Sequence, residues 1–282
     1  MKIDMALSPH PHDLEQLRLG IAHYNVTQVP QLLDLMKINF AVVMIENDRI
    51  VAGSLCEIDW GWLYFDTVWT HESVRGKGYG TLIMQAAESY AYQKGIDSAY
   101  LFTTSFQARP FYEKLGYETF GDVDNHPNGH HFYYLRKYQL AQIAIDPRIT
   151  IQEPPIQASS NILENGLLDT IAQTAPLHVR KITLLLRDDD GEIMGGCVGS
   201  QFWDWFDLHI LWISDPLQGQ GWGSKLLHAL ENEVKQRQLN GILCDTTSFQ
   251  ALPFYQARGF EIVGSLSNRP PNHKTTFLKK SL

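Results

Sequence analysis

Apolar and polar residues alternate along the first half of the chain with two different periods. Short apolar or alternating stretches bounded by turn residues are typical of strands. They occur at 40–45, 50–58, 65–69, 98–103 and 132–136. Apolar residues at helical spacing predict helices at 13–23, 81–94 and 110–115. Strands and helices intermixed in this way predict an α/β (α+β) fold in which helices flank a mixed central sheet.

The second half repeats this plan. Strand patterns fall at 183–187, 193–200, 208–213, 242–246 and 275–278. The predicted helix at 225–236 carries its leucines and Val234 along one face. We interpret the acidic residues 188–190, followed by Gly191, as a hairpin turn. Turns favour Asp and Gly for backbone reasons, so we predict no metal site there.

The two halves also share long stretches of sequence at a constant offset of 143 residues. The glycine-rich segment 75–81 returns as 218–224, and the segment 103–112 returns with few changes as 246–255. An ungapped repeat of this length is about the size of an independent domain.

The repeat is lost between residues 137 and 160, where Pro147, Pro154 and Pro155 occur. We interpret this segment as the linker and place the boundary near residue 145. The sequence therefore predicts two domains, at 1–140 and 148–282.

Composition narrows the function classes. The net charge is −8 and no basic run occurs, which disfavours a nucleic-acid partner that needs its phosphates neutralised. No stretch of about 18 apolar residues and no charged leader with an apolar run occurs, so we expect no membrane partner and a cytoplasmic location. Cys56, Cys197 and Cys244 have no counterparts in the opposite half, which disfavours disulfides, and we expect them in the core.

The repeated glycine-rich segment is the most informative chemical motif. A strand that ends in a glycine turn opening a helix directs several backbone N–H groups, and the helix dipole, at one point. Such a loop suits a pyrophosphate. The spacing fits neither of two common nucleotide loops: Lys77 lies in the middle rather than at the end of the motif, and both copies read G-x-G-x-G rather than G-x-G-x-x-G.

The motifs instead resemble the GNAT superfamily of N-acetyltransferases, whose signature is R/Q-x-x-G-x-G/A between a strand and a helix. Residues 75–80 and 218–223 both match it, and the S-F-Q-A-x-x-F-Y-x-x-x-G-F/Y pattern is matched at 105–117 and 248–260. The resemblance spans most of each half, so it implies two tandem GNAT domains.

The resemblance implies that acetyl-CoA binds. Backbone amides of the two loops would hold its pyrophosphate: Arg75, Gly76, Lys77, Gly78, Tyr79, Gly80 and Thr81, and Gln218, Gly219, Gln220, Gly221, Trp222, Gly223 and Ser224. The strands before the loops would pair with the pantetheine arm and splay from their neighbours: Val68, Trp69 and Thr70, and Leu211, Trp212 and Ile213. Two basic side chains in the first loop predict tighter phosphate binding than in the second, where Lys225 is a possible substitute.

The resemblance also places Tyr112 and Tyr255 where the family has a tyrosine that protonates the leaving thiolate. A tyrosine stays neutral easily, because its ordinary pKa is about 10. For the base, Asp66 and His209 occupy equivalent positions on the strand before each loop. Each of them is also typical of a surface residue on an alternating strand. His130 and His273 are further possibilities, with an ordering hydrogen bond as the simpler interpretation.

Two tryptophan pairs, Trp60 with Trp62 and Trp203 with Trp205, precede these strands. Each pair suits either a wall of the acceptor pocket or packing between the domains.

The resemblance predicts an enzyme that transfers the acetyl group of acetyl-CoA directly to a primary amine of a small molecule or peptide. The first half is the better candidate for full activity. Two other functions are open: a non-catalytic acyl-CoA-binding or interaction protein, and a transferase that uses aminoacyl-tRNA. The intact loops and the acidic balance weigh against the aminoacyl-tRNA function.

Overall fold

The computed structural model describes residues 1–6, 9–177 and 179–282. Within them the chain forms fourteen strands and six helices, besides three short 3₁₀ turns. The strands are β1 Lys2–Met5, β2 Ile38–Glu46, β3 Arg49–Asp59, β4 Trp62–Thr70, β5 Ser98–Thr104, β6 Glu118–Asp124, β7 His131–Tyr138, β8 Ile149–Gln152, β9 Val179–Arg187, β10 Ile193–Phe202, β11 Trp205–Ile213, β12 Gly241–Thr247, β13 Glu261–Ser267 and β14 Lys274–Ser281. The helices are α1 Pro11–Gln28, α2 Tyr79–Gln93, α3 Arg109–Lys114, α4 Gln157–Ala172, α5 Trp222–Gln236 and α6 Leu252–Gln256.

The strands form two seven-stranded mixed sheets, in the orders β6-β7-β5-β4-β3-β2-β8 and β1-β9-β10-β11-β12-β14-β13. In each sheet all neighbours are antiparallel except one pair, β4 with β5 and β11 with β12, which is parallel. Each sheet packs a core against its long helix, with Ile83 and Met84 of α2 buried on one sheet and Leu226 and Leu230 of α5 on the other. The predicted fold class is confirmed.

The two halves exchange their first strand and first helix. Strand β1 pairs with β9 of the second half, and strand β8 pairs with β2 of the first half. Helix α1 packs on β10 and β11, whereas α4 packs on β3 and β4. The contiguous division at 1–140 and 148–282 therefore does not describe the packing, because each sheet includes one strand, and is covered by one helix, from the opposite half.

A pair of buried leucines shows why the exchanged helices fit. Leu17 of α1 is fully buried beside Gly196 of β10, and Leu163 of α4 is fully buried beside Gly53 of β3. Burying a leucine side chain contributes about 1.5–3 kcal/mol. Asp13 at the start of α1 also pairs with Arg187 of β9, at 2.6 Å.

The halves meet through an aromatic cluster that includes Trp62 and Trp205. The indole of Trp62 donates to the carbonyl of Asn268 at 3.2 Å, and that of Trp205 donates to the carbonyl of Asn125 at 3.0 Å. These reciprocal bonds confirm that the second tryptophan of each pair serves packing between the halves.

Candidate active sites

Each sheet opens into a cleft at its parallel pair of strands. Pairing between β4 and β5 stops at Phe65, although β4 continues to Thr70 alongside β3. Pairing between β11 and β12 likewise stops at Leu208, although β11 continues to Ile213 alongside β10. Beyond these points one backbone edge of each strand faces the cleft without a strand partner, as the predicted splay requires. The segments 68–70 and 211–213 lie on these free edges.

A β-bulge marks the point where each cleft begins. Asp66 is the extra residue between the pairs Leu55–Thr67 and Cys56–Phe65. His209 is the extra residue at the matching place in the other sheet, between partners of Val198 and Gly199. Bulges bend a strand and redirect a side chain, and they are common beside active sites.

The glycine loop at the end of each free strand presents a set of backbone donors. Within the described chain, five amides in each loop have no protein acceptor. They belong to Gly76, Gly78, Tyr79, Gly80 and Thr81 and to Gly219, Gly221, Trp222, Gly223 and Ser224. Free N–H groups at a helix N-terminus, together with the helix dipole, attract an anion.

The loop glycines are needed for conformation and for space. Gly76, Gly78, Gly219 and Gly221 have φ between +74° and +83°. A Cβ added at any of them would meet no atom within 4 Å, so it would extend into open space at the mouth of the cleft. A side chain there would strain the backbone and occupy the space an anion would take. Both loops therefore fit a diphosphate, the group that coenzyme A carries.

The two loops use different cations. Arg75 donates to the carbonyl of Thr70 at 3.3 Å and to the hydroxyl of Thr170 at 3.2 Å, while Lys77 is exposed. In the second loop Gln218 repeats the bond to the preceding strand at 3.2 Å. A cation is supplied there by Arg258, which donates to the hydroxyl of Ser224.

Sequence reasoning missed Arg258, which corresponds to Leu115 in the first half. Lys225, considered instead, lies over the Trp222 ring at 3.8 Å. The signal was an arginine three residues after the tyrosine, where the first copy has a leucine.

Tyr112 lies where the two parts of the first cleft meet. It lines both a cavity of about 330 Å³ beside the glycine loop and one of about 450 Å³ beside Asp66. Tyr255 lines the second cleft, a single cavity of about 500 Å³. Both side chains are 8 % exposed, and burial raises the pKa of each above its ordinary value. Both phenols are therefore neutral at physiological pH, which is the protonation state that a proton donor needs.

The two bulge residues differ in their surroundings. Asp66 is exposed, but desolvation by the cleft wall raises its pKa against the lowering effect of a hydrogen bond from the Thr67 hydroxyl at 3.2 Å. A raised pKa makes a carboxylate a better proton acceptor near neutral pH. His209 is half exposed and lies 4.0 Å from the Asp207 carboxylate.

The exchanged helices complete both clefts with residues from the opposite half. Leu167, Thr170 and Ile171 of α4 line the first cleft, and Ile21 and Tyr24 of α1 line the second. No motif in the sequence indicates this contribution.

Helix α4 contacts the first cleft, and α1 contacts the second cleft, through equivalent glycine–tryptophan pairs. A Cβ added at Gly166 would lie 2.4 Å from the Trp69 indole, and one at Gly20 would lie 2.3 Å from the Trp212 indole. Asn25 of α1 also accepts a hydrogen bond from Gln250 at 2.7 Å. Each cleft is therefore composite.

Comparison with known proteins agrees with this geometry. The family model described as "Acetyltransferase (GNAT) family" matches residues 13–117 and 161–260. The chain belongs to the GNAT acetyltransferase family. This membership is consistent with acetyl-CoA as the cosubstrate.

Two relatives of this GNAT chain each match about one third of it. Acetyltransferase Atu2258 of Agrobacterium fabrum is 33% identical over 101 residues, which are 36% of this chain and 74% of that protein. Blasticidin-S acetyltransferase of Streptomyces morookaense is 33% identical over 93 residues, which are 33% of this chain and 68% of that protein.

Similar solved structures also match parts of the GNAT chain. An acetyltransferase from Bacillus cereus is 25% identical with a TM-score of 0.44, covering 45% of this chain and 94% of that one. A GNAT family acetyltransferase from Elizabethkingia anophelis, with acetyl-CoA bound, is 20% identical with a TM-score of 0.32, covering 41% of this chain and 82% of that one.

The remaining predictions concern residues outside the clefts. All three cysteines are buried and free, as expected of core thiols. His130 and His273 bond to Ser105 and Ser248 at 3.2 and 3.1 Å, which supports an ordering role. The acidic segment 188–190 forms the predicted turn, because the Asp188 carboxylate accepts from the amides of Asp190 and Glu192.

Among the described residues, no cluster of His, Cys, Asp and Glu suits a metal ion. None of the helices in the described ranges is long and apolar enough to cross a membrane.

Proposed function

We propose that the protein is an N-acetyltransferase that moves the acetyl group of acetyl-CoA directly to a primary amine. The observation that carries this proposal is the convergence of three features in each cleft: a free strand edge, five free loop amides and a neutral tyrosine. Acetyl-CoA supplies the acetyl group as an activated thioester.

Different residues of the cleft bind the cosubstrate and transfer the protons. The loop amides and the free edges at 68–70 and 211–213 hold the cosubstrate by its diphosphate and its amide-bearing arm. As the amine nitrogen bonds to the acetyl carbon, the carbon–sulfur bond breaks. Tyr112 gives its proton to the departing sulfur, and Asp66 takes the proton that the nitrogen loses.

Tyr255 and His209 would take the same parts in the second cleft. The first cleft remains our candidate for full activity, since Asp66 has a raised pKa suited to a base. Arg75 and Lys77 also add two positive charges beside its loop.

A coupled assay of thiol release, run with acetyl-CoA and a panel of primary amines, tests the proposal. Mass spectrometry of each product should show one added acetyl group per reacting amine. Titration of CoA should show up to two sites per chain. Tight CoA binding without thiol release above the hydrolysis background would overturn the proposal in favour of a non-catalytic acyl-CoA-binding protein.

A further inference from the structure

A third cavity, of about 520 Å³, lies between the two sheets and away from the glycine loops. Both halves line it. Asp66 and Phe102 belong to its wall and to the first cleft, whereas His209 and Asp245 belong to its wall and to the second cleft. The cavity therefore adjoins the inner ends of both clefts, where an acceptor would meet the thioester. Its volume lies within the range of pockets for small molecules.

Equivalent positions of the duplicated sheets have different chemistry in this cavity. Tyr64 and Phe102 of the first half correspond to Asp207 and Asp245 of the second half. One half thus contributes aromatic rings where the other contributes carboxylates. Aromatic faces and carboxylates both attract a cation.

The carboxylates of the cavity are short of positive partners. Asp207 has only His209, at 4.0 Å, and within the described chain Asp66 and Asp245 have no ion pair within 4 Å. Desolvation between the two sheets is the main cause that raises the pKa of Asp207 to about 6, with His209 opposing it and Asp245 adding to it, although half of the Asp207 side chain is exposed. Desolvation also raises the pKa of Asp245, whose side chain is exposed at the cavity wall.

Arg269 is the one arginine or lysine among the described residues that line the cavity. Arg269 donates to the Tyr100 hydroxyl at 2.8 Å and lies over its ring at 4.9 Å. The cavity therefore has a surplus of negative charge.

A buried histidine independently indicates a ligand. His126 lines the cavity and is 1 % exposed, and its Nδ1 has no hydrogen-bond partner among the described residues. Burial lowers the pKa of His126 to about 3, so the ring is neutral. A neutral imidazole nitrogen can accept a hydrogen bond from an ammonium group. Buried polar atoms are usually paired, and a ligand would pair this one.

We propose that this cavity is an acceptor chamber common to both clefts, and that it selects amines with two basic nitrogens. This inference rests on the proposed acetyl transfer. A nitrogen must lose its proton before it attacks, so an amine held through its only ammonium is held in the unreactive form. A diamine keeps one ammonium on the carboxylates and presents its other nitrogen, neutral, to the thioester.

Binding of two matched probes tests the chamber. 1,4-Diaminobutane and butylamine have equal carbon chains and differ in the second nitrogen. Each is titrated into the full chain with saturating CoA, following tryptophan fluorescence, because Trp203 and Trp205 line the cavity. The diamine should bind at least tenfold more tightly, and Asp207→Asn and Asp245→Asn should each remove most of that preference.

Asp190→Asn is the matched control, because it removes the same charge from an exposed turn at the far end of the β9–β10 hairpin. It should leave the preference unchanged. Circular dichroism verifies that the variants are folded. Equal binding of the two probes, or a preference that survives in both cavity variants, would overturn the chamber.

Thiol release measured in the same samples separates the two proposals. Turnover with amines but no preference for the diamine would overturn the chamber alone. Absence of turnover with every amine would overturn the proposed function and the acceptor role with it.

Discussion

Replacing Gly20 with alanine tests whether a residue of the first half shapes the second cleft. Gly20 lies in α1, and a Cβ added there would stand 2.3–2.6 Å from three atoms of the Trp212 indole. Real Cβ contacts are longer, so the ring must move. Trp212 lies on the free edge of β11, in the segment proposed to bind the pantetheine arm.

Two opposing effects determine how much Gly20→Ala changes the free energy of unfolding. Alanine favours a helix over glycine by about 1 kcal/mol. Overpacking a close contact costs about 1–3 kcal/mol. We therefore expect the free energy of unfolding to fall by about 0–2 kcal/mol. Displacement of Trp212 should weaken CoA binding in the second cleft about tenfold, which corresponds to about 1.4 kcal/mol.

The assay isolates one cleft at a time. Gly78→Val disables the first loop and Gly221→Val disables the second, because each glycine has φ above +80° and a side chain would extend into the loop mouth. CoA is titrated by calorimetry in both backgrounds. Gly20→Ala should weaken binding in the Gly78→Val background and leave it unchanged in the Gly221→Val background.

The mirror variant is the control. Gly166→Ala, which would place a Cβ 2.4 Å from the Trp69 indole, should show the opposite pattern. If Gly20→Ala weakened the first cleft, or weakened neither, the exchange of helices as a determinant of cofactor binding would be refuted.

Three more outcomes are expected. Tyr112→Phe should lower kcat about 10²- to 10⁴-fold with CoA affinity nearly unchanged, and equal turnover would exclude the proton-donor role. Arg258→Ala should weaken CoA binding in the Gly78→Val background and not in the Gly221→Val background, because it removes a cation beside one loop only. The folded chain raises the pKa of Asp207 from 3.8 to about 6, so its contribution to stability is complete below pH 4 and is lost as pH rises through 6. Asp207→Asn should therefore raise the melting temperature at pH 7.5 and change it little at pH 4, and a pH-independent difference would contradict this.

Local pattern predicted most of the fold. The strands and helices around both loops lie within a few residues of the predicted bounds. Strands β6 and β13 were missed because charged residues and a glycine interrupt their alternation, as in Glu118–Asp124. The alternation of apolar and polar residues predicts which side chains share a face of a strand. It does not identify the strand that pairs with it.

The exchange could not be predicted for that reason. Strands β1 and β8 have four residues each, and their alternation suits the edge of either sheet. The exchanged strands are accompanied by packing of α1 and α4, where one leucine of each helix lies against a glycine of the opposite half. The glycine loops and the tyrosines could be predicted because each is part of a short continuous sequence motif. Arg258 and the shared cavity could not, because they depend on contacts between residues distant in sequence.

The exchange of the first strand and first helix between the halves links the stability of the two sheets. Each sheet holds an edge strand and a helix that belong, by sequence, to the other repeat. Unfolding of one sheet therefore releases these elements and destabilises the other repeat as well. The two repeats thus form one packed unit, and deleting either copy would leave the other without the outer strand and the cleft wall that the deleted copy supplies.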